Sequence, residues 1–180
     1  DRSFQQITLR GFVPSNTQST LTATFIDGVP VASPTAIASV SDPARVEILK
    51  GPQAAYFGRN TFAGAVNVVN RMPGDELGGN LSIMAGSRSN LDFQGSVDGP
   101  IMGDKLGFRV NVHHFSKDGS YVNAANPSET LGDQETTSVN FLLALKLNDN
   151  FSAKLFGLYS EDDDGPPVQG IVGSYEVRAV

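Results

Sequence analysis

Four long stretches place an apolar or small side chain at every second position. Leu91, Phe93, Gly95 and Val97 alternate with Asp92, Gln94, Ser96 and Asp98, and Leu106, Phe108, Val110 and Val112 alternate with Gly107, Arg109, Asn111 and His113. Further on, Val139, Phe141, Leu143, Leu145 and Leu147 face away from Ser138, Asn140, Ala144 and Lys146, and Phe151, Ala153, Leu155, Gly157 and Tyr159 face away from Ser152, Lys154 and Ser160. Successive side chains of a strand point to opposite faces, so each stretch predicts a strand with one apolar and one polar side. A weaker strand is expected over Asn80 to Ala85. These segments have about the 9 to 11 residues that a tilted strand uses to cross a bilayer.

Composition agrees with a strand-rich chain. Nineteen glycines in 180 residues, with only 8% aromatic and 18% charged side chains, suit a turn-rich β protein. No window sustains a 3.6-residue period. The length allows one large domain or two small ones. A formal charge of −6 argues against a nucleic-acid partner, because phosphate binding needs clustered Lys and Arg. Without cysteine there are no disulfides and no thiolate metal sites. No apolar run approaches the roughly 20 residues of a membrane-spanning helix. The mean hydropathy of −0.14 does not exclude a membrane, since barrel strands are apolar only at alternate positions.

A second constraint lies upstream, in R-V-E-I-L-K-G-P-Q-A-A-Y-F-G-R-N-T-F-A-G-A-V-N-V-V-N-R from Arg45 to Arg71. Val46 and Ile48 alternate with Arg45 and Glu47, Gly51-Pro52 stops the strand, and alternation resumes between Ala65 and Val69. Gly58 and Gly64 stand where a tight connection requires positive φ or close backbone approach. The run resembles the C-terminal half of the plug domain of TonB-dependent outer-membrane receptors. Arg45, Val46, Glu47, Ile48, Leu49, Gly51, Pro52, Tyr56, Gly58, Gly64, Val66, Asn67 and Val69 match that family's pattern. Lys50 stands where arginine is usual, Ala65 replaces the second glycine of a pair, and Asn70 replaces threonine. Ile7 to Phe12 and Thr24 to Val31 resemble two earlier plug strands, the latter with a bend at Asp27-Gly28. Ser33 to Pro43 is expected to be a loop with one helical turn around Thr35 to Val40.

The resemblance implies a small mixed α+β plug over residues 1–73, followed over 74–180 by about five antiparallel strands that begin a large transmembrane β-barrel. About 22 strands are typical of a plugged transporter, so most of the wall is expected beyond Val180. A TonB-binding segment is expected upstream of Asp1. Barrels of this kind have short periplasmic turns and longer external loops. Asn148 to Asn150 and the moderate Gly99 to Lys105 are then periplasmic, Gly119 to Gln134 external, and Ser87 to Asn90 a short external exception. The acidic run Glu161 to Asp164 is expected to open another external loop.

The implied function is TonB-driven uptake of a scarce small-molecule nutrient across the Gram-negative outer membrane, with ferric siderophores favoured and saccharides next. The partners are TonB, outer-membrane lipid and the nutrient, and no cofactor is implied. In the family, plug charges hold the plug to the wall, which makes Arg45, Glu47, Lys50 and Arg59 the candidates here, against ordinary cross-strand pairing for Arg45 and Glu47 and a turn-anchoring role for Arg59, while Lys50 lacks the planar fork by which arginine holds two carboxylate oxygens. Gly51, Pro52, Gly58 and Gly64, like Gly78-Gly79, are assigned to turn geometry. His113 and His114 point to opposite faces of one strand and cannot chelate one ion, His113 facing the lumen. The acidic run lacks the spacing of a calcium loop. No nucleophile elbow, zinc-protease helix or phosphate loop is present, so an enzyme has no support. The alternatives are a non-transporting outer-membrane receptor or adhesin, and a soluble β-sandwich whose strand faces meet protein or water. Open strand edges invite association, so residues 1–180 expressed alone are expected to aggregate; a monodisperse, cooperatively melting monomer would contradict this.

Overall fold

The computed structural model describes residues 7–9, 11, 21–32, 36–37, 39–52, 62–123, 126 and 130–165. The first strands form a small four-stranded sheet: β1 (Thr22–Ile26), β2 (Val29–Val31), β3 (Arg45–Lys50) and β4 (Gly64–Val69), in the order β2-β1-β4-β3. Asp27 and Gly28 join β1 to β2 with φ of 48° and 80°. Two successive positive φ values give a tight bend whose twist matches that of the strands, so D-G is the natural pair here. β3 and β4 run antiparallel from Arg45↔Val69 to Lys50↔Gly64, as the alternation on either side of Gly51-Pro52 predicts. The parallel pairing of β1 with β4, Thr22↔Gly64 to Ile26↔Val68, carries no local sequence signal.

Gly64 is obligatory. Its φ is 151°, and a Cβ there would lie 2.2 Å from the carbonyl oxygen of Leu49. Gly51 also has positive φ, at the end of β3. Gly58 and Arg59 lie outside the described residues, as does Phe12. Ala36 and Ile37 are helical, where the sequence leads one to expect a helical turn.

The second sheet has five strands in the order β11-β10-β7-β6-β5. They are β5 (Gly78–Gly86), β6 (Asn90–Met102), β7 (Leu106–Lys117), β10 (Gln134–Asn148) and β11 (Phe151–Asp162), each antiparallel to its neighbours. Four differences from the sequence expectation have physical causes. β6 runs through Gly99-Pro100 to Met102, leaving Gly103–Lys105 as a tight turn rather than a moderate connection. Pairing with β5 ends at Gly78↔Asp98, so beyond that point β6 bonds only β7; a bulge between Pro100 and Met102 accommodates the residue without an amide proton. Gly78-Gly79 opens β5 instead of forming a turn, and a Cβ on Gly79 would come within 2.7 Å of the Ser96 carbonyl oxygen. The connection from β7 to β10 carries a short hairpin, β8 (Tyr121–Val122) with β9 (Thr130–Leu131). Finally, β11 continues through Glu161 to Asp162, because Thr136 and Thr137 of β10 still pair there.

The register places Asn80, Ser82, Gln94, Ser96, Asp98, Arg109, Asn111, His113, Ser138, Asn140, Lys154 and Ser160 on one face. Leu81, Ile83, Phe93, Val97, Val110, Val112, Val139, Phe141, Leu143, Leu155 and Tyr159 share the other. The small sheet and the segments flanking it sit on the polar face. The apolar face is uncovered: Leu81 is 64% and Leu155 58% exposed. On that face Phe141 lies over Gly157, where a Cβ would come within 2.1 Å of the ring. A β-sandwich buries its apolar faces against each other, so this arrangement excludes that alternative. It is the arrangement of a barrel wall with lipid outside. Leu155→Arg is therefore expected to destabilise the folded wall in a bilayer by about 2–4 kcal/mol, the cost of a lipid-facing cation near the midplane; bilayer-refolding titrations showing no loss would contradict a lipid-facing position.

Candidate functional site

The seat of the small sheet on the wall is part apolar and part polar. Ile26, Val40 and Val68 form a buried cluster, against which pack Val31, Ile37 and, from β11, Phe156 and Leu158. The wall thus completes the core of the small sheet. Around this seat lie three polar contacts.

The first is made by the β1–β2 turn. Lys154 Nζ lies 3.3 Å from Asp27 Oδ2, and Asn70 donates to both Asp27 oxygens, its backbone N–H to Oδ1 and its Nδ2 to Oδ2, each at 3.0 Å. Partial burial pushes the Asp27 carboxyl up, but the hydrogen bonds from Asn70 and the Lys154 charge outweigh it and hold the group below its ordinary value. Asn70 is one of the departures from the family pattern, and here it clamps the carboxylate that meets the wall.

The second contact belongs to the segment before β3. Ser39 Oγ donates to Ser160 Oγ at 3.0 Å, and Asn140 Nδ2 donates to the Ser39 carbonyl and to Ser41 Oγ, both at 3.3 Å. Asn140 and Ser138 are fully buried beneath this segment.

The third contact centres on Arg109 of β7, which is 4% exposed. Its Nη1 donates to Asp98 Oδ1 on β6, directly opposite in register, and its Nη2 to Asp42 Oδ2 of the small domain. Asp42 Oδ1 also accepts from Arg71 at 3.0 Å, and Asp98 Oδ2 accepts from the Gly74 N–H at 2.8 Å. A buried guanidinium needs such pairing, because an unpaired charge out of water is costly. The connection from β4 to β5 is fixed to the same place, since a Cβ on Gly107 would lie 2.9 Å from Pro73 Cβ.

The residues singled out in the sequence lie elsewhere on the small sheet. Arg45 Nε and Glu47 Oε1 pair with each other at 2.7 Å on the outer strand β3, and Asn67 donates to Glu47 Oε2 at 2.9 Å. Hydrogen bonds from Asn67 and from Arg45 hold the Glu47 carboxyl below its ordinary value. The other end of Asn67 accepts from the Gly28 N–H at 3.0 Å. This chain braces the bend that presents Asp27 to Lys154. Lys50 is exposed at the end of β3, and Arg59 lies outside the described residues. The described ion pairs between the small domain and the wall therefore have cations on the wall and carboxylates on the small domain. Arg109, Lys154, Asp42, Asp27 and Asn140 were not singled out, because their partners are distant in sequence; the signals available were charged residues on polar strand faces and the family departure at Asn70.

His113 and His114 do face opposite sides: His113 Nε2 is 3.1 Å from Asp92 Oδ1 on the polar face, and His114 Nδ1 3.0 Å from Thr137 Oγ1 on the other. In the acidic run, Glu161 Oε2 accepts from the Tyr159 hydroxyl at 3.1 Å, and Asp162 Oδ1 accepts from Thr136 Oγ1 at 2.7 Å.

A small domain seated on the polar face of a strand wall whose other face is bare and apolar defines the class of plugged transmembrane β-barrels. Residues 1–65 match the TonB-dependent Receptor Plug Domain. The pesticin receptor of Yersinia pestis is 30% identical over 150 residues, covering 81% of this chain and 22% of the receptor. The ferric enterobactin receptor of Pseudomonas aeruginosa is 27% identical over 159 residues, covering 74% of this chain and 20% of that receptor. The crystal structure of the ferric yersiniabactin uptake receptor FyuA from Yersinia pestis superposes with a TM-score of 0.75 at 28% identity, over 83% of this chain and 24% of that one. The chain belongs to the TonB-dependent receptor family, and it spans about a fifth to a quarter of the length of these relatives.

The Asp27 contact has a defined pH signature. Its carboxyl is depressed in the folded state, so its stabilisation is complete above the unfolded value of about 3.9 and is lost as pH falls through the lower folded value. Protease protection of the seated domain is thus expected to hold from neutral pH down to about pH 4, and Asp27→Asn to remove part of the acid loss below it. Lys154→Met, at a partly exposed pair, is expected to cost only about 0.5 kcal/mol. An acid loss unchanged in Asp27→Asn would exclude Asp27 as its source.

Proposed function

We propose that this chain is the plug and first wall strands of a receptor that takes up a ferric chelate across the Gram-negative outer membrane, driven by TonB. The observation that carries this reading is the seat itself: a small domain fills the polar side of the wall and is held there by separable polar contacts around a small apolar patch. Such a domain blocks the lumen at rest and leaves without disrupting the wall.

The chelate class follows from the relatives, whose names specify ferric enterobactin and ferric yersiniabactin. Saccharides gain no comparable support. In this reading the plug extends to about Pro73, where the connection turns along the wall. The tight turns Gly103–Lys105 and Asp149-Asn150 lie at the periplasmic end, and the β8–β9 hairpin at the outer end. Arg45, Glu47 and Lys50 address wall strands beyond these five, since among the described residues β3 is an edge strand of the plug sheet, and Arg59 is proposed to act with them. TonB acts through a segment upstream of Asp1, and no residue here has a catalytic role.

Iron-starved cells expressing the full-length receptor are expected to accumulate radioactive iron from ferric enterobactin or ferric yersiniabactin only when TonB and the proton gradient are intact. Accumulation that persists without TonB would reject the coupled mechanism. Binding at the surface without accumulation would favour a non-transporting receptor or adhesin.

A further inference from the structure

The backbone of Asp42 is unusual. Its φ is 50°, and the next residue is Pro43. A residue before proline is driven towards extended conformations, and left-handed backbone is strained for any side chain with a Cβ. Such a conformation persists only where the surroundings over-determine it. Here the carboxylate is held from two sides, by Arg109 on Oδ2 and Arg71 on Oδ1. The same short segment carries Ser39 and Ser41, which contact Ser160 and Asn140 of the wall.

Beneath this segment lies a polar cavity of about 100 Å³, with Ser41 and Asp42 on one side and Asn80, Ser82, Gln94, Ser96 and Asn111 of the wall on the other. Among the described residues the buried Asn111 Oδ1 has no hydrogen-bond partner, so the wall there keeps unused capacity for a hydrophilic guest.

We propose that Arg109 is a positioning residue whose contact with Asp42 latches the plug: its loss lets Asp42 relax, lifts residues 39–44 from the wall, and joins the polar cavity along β5, β6 and β7 to the lumen as a hydrophilic passage. Arg109 stays moored to Asp98 when the latch opens, and Asp98 keeps its grip on Gly74, so the plug's C-terminal connection does not leave with the loop. The latch is therefore reversible. Its role in uptake rests on the proposed function; the opening itself does not.

Two variant sets of the full-length receptor in its outer membrane test this. In the first, Arg109→Gln at unchanged surface abundance is expected to sensitise cells several-fold to a large hydrophilic antibiotic that the intact outer membrane excludes, with or without TonB. Asp42→Ala is expected to leak more than Asp42→Gly, because both lose the carboxylate but only alanine retains the strain that drives the loop away. In the second, Ser39→Cys with Ser160→Cys ties the loop to the wall. Oxidation is expected to abolish uptake of ferric enterobactin or ferric yersiniabactin and to suppress the Arg109→Gln leak, and reductant to restore both.

An Arg109→Gln receptor as impermeable as its parent at equal abundance overturns the latch, and so does an oxidised tether that transports at the parental rate. Equal leak from Asp42→Ala and Asp42→Gly overturns the strained loop as its driving element. If Arg109→Gln lowers abundance, the tether decides alone. If the parent accumulates iron without TonB, or not at all, the coupled mechanism fails while the leak assay still reads the latch.

Discussion

The structure depends on the sidedness of the wall. Once Leu81, Ile83, Val97, Phe141 and Leu155 are committed to the outer face, the polar side chains that meet the small domain, Arg109, Asn140 and Lys154, lie on the inner one. Fully burying a large aliphatic or aromatic side chain is worth about 1.5–3 kcal/mol, so lipid fixes which way the strands face. A domain on the inner side must then be held by hydrogen bonds and charge. Among the described residues, Phe156 and Leu158 of β11 are the wall side chains that pack on the cluster of Ile26, Val40 and Val68.

That division makes the seated domain dependent on the wall. Four short strands bury too little surface to be robust alone, and small domains are marginal for that reason. The cluster around Val68 is closed on one side by β11, so the domain is most stable when seated on the wall. The charged contacts add selectivity more than stability. A buried ion pair roughly balances desolvation against attraction, whereas an unpaired member is costly. Arg109 between Asp98 and Asp42 therefore penalises any seating that leaves one of them unmatched.

Much of this was legible in the sequence, and what was not has a common cause. Period-two alternation located all five wall strands, and the Asp27-Gly28 pair marked a hairpin, because both signals are local. Strand ends failed where pairing overrode a local stop: Gly99-Pro100 continues β6 because its β5 neighbour has already ended, and Gly78-Gly79 enters β5 because the backbones approach closely. The contacts that seat the domain were invisible for a different reason. Arg109 and Asp42 are 67 residues apart, and Asn140 and Ser39 101, so no spacing encodes them. The family motif drew attention to Arg45 and Glu47, whose described partners lie within the plug sheet, while its single-residue departure at Asn70 marked the clamp on Asp27.

Strand order decides how the seated domain responds to a pull from its N-terminal side. β1 and β4 are parallel and paired at five positions from Thr22↔Gly64 to Ile26↔Val68. The end of β4 is tied to the wall through Arg71, Asp42 and Arg109, and the connection after it through Gly74 and Asp98. Tension entering at the start of β1 and resisted at the end of β4 runs along the strands, so it loads those backbone bonds together in shear. The Lys154–Asp27 and Ser39–Ser160 contacts are isolated side-chain pairs that break one at a time. The sheet is therefore built to tilt off its seat as a unit before its own ladder parts, and the wall, whose apolar face stays in lipid, takes no part in the movement.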